Sequence, residues 1–206
     1  MKKAEISYFI VLTPFFFPTT FLYEASMRLP DICRTSIKTR LKYLSLVGYM
    51  ARIDGKLDKE EIGLLKKMSK RFQMSEEHQK IIFSEQTFSD QQIEEIFAEL
   101  KEKQLQYSFI LDLIAMAIAD GIILEPERLM LAQISGLIGL QHEAFHNLVN
   151  FAQATSNLSE DKNSDPMYQY VIDMFFTWAR NKDVKLYKQT TFAINDKVDA
   201  YLKEDL

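Results

Sequence analysis

The stretch ARIDGKLDKEE, residues 51–61, sets Asp-Gly in the middle of a helical pattern and closes on paired acids; it returns as AIADGIILEPE at residues 117–127. Asp54 and Asp120 stand 66 residues apart, and that offset holds without a gap from Leu44 to Phe83. Eight positions are identical across it: Met50/Met116, Ala51/Ala117, Asp54/Asp120, Gly55/Gly121, Glu61/Glu127, Leu65/Leu131, Ser69/Ser135 and Glu77/Glu143. Apolar character is kept at Leu44/Ile110, Val47/Leu113, Leu57/Ile123, Leu64/Met130, Met74/Leu140 and Ile82/Leu148. A register kept through two helices and their turns marks an internal duplication. Each Asp-Gly then belongs to one repeated helix–turn–helix unit.

The turn has a local chemistry. Glycine after aspartate ends a helix because it enters the left-handed region without a Cβ penalty. Leu57 and Ile123 are expected to tuck inward, and Asp58 with Glu61 makes an acidic capping box for the next helix. Glu61 and Glu127 also suit a helix N-terminus through the macrodipole.

The rest of the chain reads as helix. Apolar residues Ile37, Leu41, Leu44, Val47, Met50 and Ala51 mark one face of a helix over about residues 34–53. A second opens at Asp58 and carries Ile62, Leu65, Met68 and Phe72. Ser75 and Ser89 stand as N-caps of short helices, and residues 105–119 form a strongly apolar one. Pro126 sits in a first helical turn, where its missing N–H costs nothing. Gly139 ends that helix, and another spans residues 142–152. Helices are also expected over residues 167–179 and about 184–202. With no alternating strand pattern, the fold class is all-α: a helical bundle with two pseudo-symmetric helix–turn–helix repeats. The organisation is a hydrophobic arm (1–33), a helical domain (34–154), a polar linker (155–166) and a C-terminal helical pair (167–206).

Composition excludes several classes. A chain that is 47% hydrophobic and 26% charged is globular rather than disordered. A net charge of −4, with basic residues scattered among acids, gives no footprint for nucleic acid. One cysteine, Cys33, allows neither an internal disulfide nor a cysteine-based zinc knuckle. Residues 6–23 (ISYFIVLTPFFFPTTFLY) are uncharged, but Pro14 and Pro18 break a helix there. They read as an extended arm packed on the domain, in a cytoplasmic protein. Membrane contact through the same segment is the alternative.

The doubled pattern of a small residue, one position, Asp-Gly, an apolar residue and then Glu at the next helix start resembles the tellurite-resistance TerB family. It is also similar to the TerB-like domain of membrane-anchored DjlA co-chaperones. The match covers about residues 41–151. The resemblance implies an all-helical fold with pseudo-twofold halves, an acidic surface that binds metal ions, and stress-response or scaffold roles rather than catalysis. Arg52-Ile53 replaces the usual Ala-Ala, and Leu124 stands where Asp58 stands in the first copy. No His-Pro-Asp tripeptide occurs, so no co-chaperone activity is implied.

Two candidate sites follow. The acids Asp54, Asp58, Glu61, Asp120, Glu125 and Glu127 offer oxygen ligands to a divalent cation or a face to a protein partner. They do not form an EF-hand, whose ligand spacing the immediate Asp-Gly breaks. The other is HEAFH, residues 142–146, which fits the His-Glu-x-x-His zinc signature. There His142 and His146 would hold zinc and Glu143 would activate water, with a third ligand from Glu160, Asp161 or Asp165. The preferred reading is a non-enzymatic, bacterial, stress-associated or partner-binding module with a metal-responsive acidic face. The zinc hydrolase is the alternative.

Overall fold

The computed structural model of the protein describes residues 32–53, 55–119, 123–156, 166–184 and 186. Asp54, Asp120, residues 6–23, the linker acids and the expected final helix beyond Leu186 lie outside them. Among the described residues a 3-10 turn, Ile32–Arg34, leads into eight α-helices. They are α1 (Ile37–Met50), α2 (Lys59–Arg71), α3 (Glu76–Phe83), α4 (Asp90–Glu102), α5 (Gln106–Ala117), α6 (Glu125–Leu137), α7 (His142–Ser156) and α8 (Pro166–Asn181). Among the described residues there is no strand, so the chain is all-α as its pattern requires.

The helices start where the sequence supplies a cap. Ser36 accepts the Thr39 N–H at the head of α1, and Ser75 and Ser89 do the same for α3 and α4. Such a side-chain acceptor satisfies one of the orphan donors of a first turn. The internal repeat is visible in the helix limits themselves. Shifting Lys59–Arg71 by 66 residues gives Glu125–Leu137, and the first residue of α3, Glu76, maps onto His142, the first of α7. Contacts of α1 with α2 and α3 recur as contacts of α5 with α6 and α7. Helix α4 joins the copies, and α5 lies at the centre, touching α1, α2, α4, α6 and α7.

The core contains the equivalent residues of both copies. Tyr43 and Phe109, also 66 apart, pack edge to face with ring centroids 5.3 Å apart and planes at 90°. Leu65, Phe72, Ile110 and Ile114 are fully buried beside them. Outside the repeat, α8 closes over α7 by stacking Phe175 on Phe151 at 4.0 Å, so the C-terminal helix shares the same apolar core. Helix α7 runs to Ser156, past the expected start of the linker. Its extension is held by Thr155, which is fully buried and donates its hydroxyl to the Phe151 carbonyl over 2.8 Å. Ile37, expected on the buried face of α1, is half exposed. On α8, Phe175 and Ala179 are buried, while Tyr170 and Met174 are exposed.

Helices α2 and α6 end in the same Schellman turn. The Met74 N–H reaches the Ser69 carbonyl at 3.0 Å and the Leu140 N–H reaches the Ser135 carbonyl at 2.9 Å. Both turns need a left-handed residue. One copy has Gly139 at φ 84° and the other has Gln73 at φ 56°. Gln73→Gly is expected to stabilise the protein by about 1 kcal/mol, and Gly139→Ala to destabilise it by about the same, since a Cβ is penalised there. Urea midpoints check both; shifts of the same sign in the two variants would show that the turns are not equivalent.

Candidate functional site

The first Asp-Gly turn departs from the left-handed cap expected of it. After α1 the chain continues in tight turns, with Arg52, Ile53 and Gly55 donating to the Tyr49, Met50 and Arg52 carbonyls. Gly55 then takes φ 154°, a value that residues with a side chain rarely adopt. Leu57 and Ile123, expected inside, are only half-buried, at the rim of the core where each turn meets solvent.

The first residues of α2 carry a complete capping box. Asp58 Oδ1 accepts the Glu61 N–H at 2.7 Å, and Glu61 Oε2 accepts the Asp58 N–H at 2.9 Å. In the second copy Glu127 Oε2 accepts the Leu124 N–H at 2.7 Å. Leucine has no acceptor to return the bond, so α6 has half a box and an exposed Leu124 in place of an acid. Asp58 and Glu125 are exposed at the two helix starts.

The tertiary fold brings the two glutamates together. Glu61 and Glu127 line one small cavity with Met50, Ala51, Leu113, Met116, Ala117, Met130, Leu131 and Ile134. Three of the identical pairs of the repeat, Met50/Met116, Ala51/Ala117 and Glu61/Glu127, face it from both sides, as a site between pseudo-symmetric halves must. The cavity volume is about 20 Å³, room for one water or one bare ion. Neither lysine nor arginine is among the residues that line it. Asp58 and Glu125 are not part of this lining. Among the described residues no three His, Cys, Asp or Glu side chains are gathered closely enough to hold a metal by themselves.

The His-Glu-x-x-His residues occupy the outer face of α7. His142 and His146 bring their Nε2 atoms to 2.9 Å, with rings crossed at 87°. Glu143 instead pairs with Lys182, beyond the end of α8, at 3.6 Å, and both side chains are more than half exposed.

A second polar feature escaped the sequence reading. Asp112 on α5 is fully buried, and the Tyr43 hydroxyl donates to its Oδ2 over 2.8 Å. Its Oδ1 has no hydrogen-bond partner among the described residues. Burial pushes the Asp112 carboxyl well above the usual carboxylate range, against the opposing effect of the Tyr43 hydrogen bond. Burial, and then the adjacent Asp112 charge, push the Tyr43 phenol up as well. The one signal in the sequence is a lone acid inside SFILDLIAMAIA, residues 108–119. At the surface Lys42 and Thr39 both donate to Glu99, at 2.6 and 2.9 Å, tying α1 to α4. The Lys42 hydrogen bond is the main reason that the Glu99 carboxyl lies below its ordinary range.

Fold and site together define an internally duplicated, all-α module with a small acidic cavity between its halves. A family model described as tellurite resistance protein TerB matches residues 40–150, from α1 through α7. The match spans more than half of the 206 residues, and the chain belongs to the TerB family. No curated protein and no solved structure matches the chain. No helix of the described residues is long and apolar enough to cross a membrane.

Proposed function

We propose that the protein is a non-enzymatic, stress-associated module that takes a divalent cation between its two halves and presents the charged turns around it to a protein partner. The observation that carries this reading is the placement of Glu61 and Glu127 on one cavity of about 20 Å³ with an otherwise apolar lining. Two carboxylates that share a small, partly dehydrated space repel each other, and a cation between them removes that cost. Carboxylate oxygens suit hard ions such as calcium, magnesium or manganese. Asp54 and Asp120, which adjoin the glycines of the same turns in sequence, are the proposed additional ligands. Asp58 and Glu125, exposed at the helix starts, belong to the partner-facing rim.

Titration calorimetry with calcium, magnesium, manganese and zinc tests the reading on wild type and on Glu61→Gln/Glu127→Gln. The expected result is binding of one hard cation that the double change weakens by ~10-fold or more, because a neutral amide is a poorer ligand. Folding should hardly change. Glutamine can still accept the cap N–H, and loss of the helix-dipole interaction costs only ~0.3–1 kcal/mol per site. Equal affinity in the two forms would reduce the acidic turns to helix caps.

A further inference from the structure

We propose that His142 and His146 form a bidentate imidazole site for a borderline divalent transition-metal ion, separate from the acidic cavity and without a catalytic role. Their Nε2 atoms converge on the solvent side of α7, where one ring donates its N–H to the other across 2.9 Å. The rings stand nearly perpendicular with centroids 4.3 Å apart, so both nitrogens address the same point. Metal–imidazole bonds of ~2.0–2.1 Å in a tetrahedral arrangement separate two ligand nitrogens by roughly 3.3 Å. An ion replacing the shared proton therefore asks the rings to part by only about 0.4 Å, a shift within reach of an exposed His142 and a half-buried His146.

The first copy of the repeat serves as an internal control. Helices α3 and α7 start at equivalent residues, yet the positions of His142 and His146 are held there by Glu76 and Lys80. The helix thus forms equally well with an ordinary opposite-charge pair at this spacing. Neither histidine is needed for the core: His142 is exposed and His146 is half-buried. The chain's remaining histidine, His78, is occupied differently, with its Nδ1 at 2.9 Å from the Ser75 hydroxyl. Imidazole favours copper, nickel and zinc over calcium and magnesium, so this site and the carboxylate cavity select different ions. Glu143, which a zinc hydrolase would need beside the metal, is turned to Lys182.

The test titrates the full chain with copper(II), nickel(II), zinc(II) and magnesium chlorides by calorimetry. One equivalent of copper should bind more tightly than nickel or zinc, and magnesium should not compete. His142→Ala and His146→Ala should each weaken copper by at least ~10-fold, as loss of a ligand does. His78→Ala, Glu143→Gln and Glu61→Gln/Glu127→Gln should leave it unchanged. Circular dichroism confirms that each variant is folded. Unaltered copper affinity in either alanine variant overturns the proposal, as does a loss shared with the Glu61/Glu127 change, which would place the metal in the cavity. A loss in Glu143→Gln equal to that of the histidines would also overturn it, by making the glutamate a ligand.

Discussion

Phe109→Ala is expected to lower the free energy of unfolding by about 3–5 kcal/mol, read as a fall in the urea midpoint at unchanged slope. Phe109 is fully buried on the central helix α5. It meets Tyr43 edge-on at 5.3 Å and Phe97 at 6.0 Å, so its removal empties space between α1, α4 and α5. Well-packed neighbours close such a space only in part, and the residual cavity adds to the lost transfer energy. Lys80→Ala, on the exposed face of α3, should stay within about 0.5 kcal/mol of wild type. If Phe109→Ala cost less than about 1 kcal/mol, the aromatic contact between the halves would not be the centre of the core.

The second large effect lies at Asp112 and is read through pH. Its carboxyl is raised in the folded protein, chiefly by burial, and in the unfolded chain returns to 3.8. A raised folded value means that the native state holds the proton more tightly. Its stabilising contribution is complete below 3.8 and is lost as the pH rises toward the folded value. Wild type should therefore lose stability over that rise, while Asp112→Asn, which cannot ionise, should not. Glu99 works in the opposite sense: held below its ordinary 4.5, it contributes above that pH and its contribution is lost as the pH falls through its folded value. Tyr43→Phe removes the one donor shown for a buried carboxyl and should cost about 1–3 kcal/mol.

The repeat supplies a compensating change. Across the 66-residue offset Tyr43 corresponds to Phe109 and Asp112 to Leu46. Tyr43→Phe/Asp112→Leu thus gives each copy the apolar residue of the other, and it should be more stable than Tyr43→Phe alone, because it leaves no buried carboxyl at position 112 without a donor. Urea titrations from pH 4 to pH 9 measure all four forms. A flat wild-type profile, coincident with that of Asp112→Asn, would show that the buried carboxyl is not protonated in the native state.

The fold was legible where the sequence repeated itself. The Asp-Gly boundaries, the serine caps and the constant offset located α1 to α7, because caps and turns are decided by residues within a few positions of one another. Glu61 and Glu127 could be recognised as paired in sequence, but only the packing of α2 and α6 against α5 places them on one cavity. Asp112 could not be assigned a role in advance: a polar residue in an apolar helix declares that it needs a partner, not that the partner is Tyr43, 69 positions earlier. Helix α7 outran its expected end because Thr155 finds its acceptor inside the helix, on Phe151, so a residue typical of linkers is carried into the core. His142 and His146 were legible as a motif, whereas the diversion of Glu143 to Lys182 depended on where α8 returned.

The missing half of the second capping box has a consequence for motion. Helix α2 begins with two reciprocal side-chain bonds, whereas α6 begins with one. A cap bond is worth about 1 kcal/mol, so the first turn of α6 is expected to open more often than that of α2. Glu127 sits on the turn with one cap bond and Glu61 on the turn with two. Anything entering the space between them would meet one fixed jaw and one hinged jaw, and the hinge is Leu124.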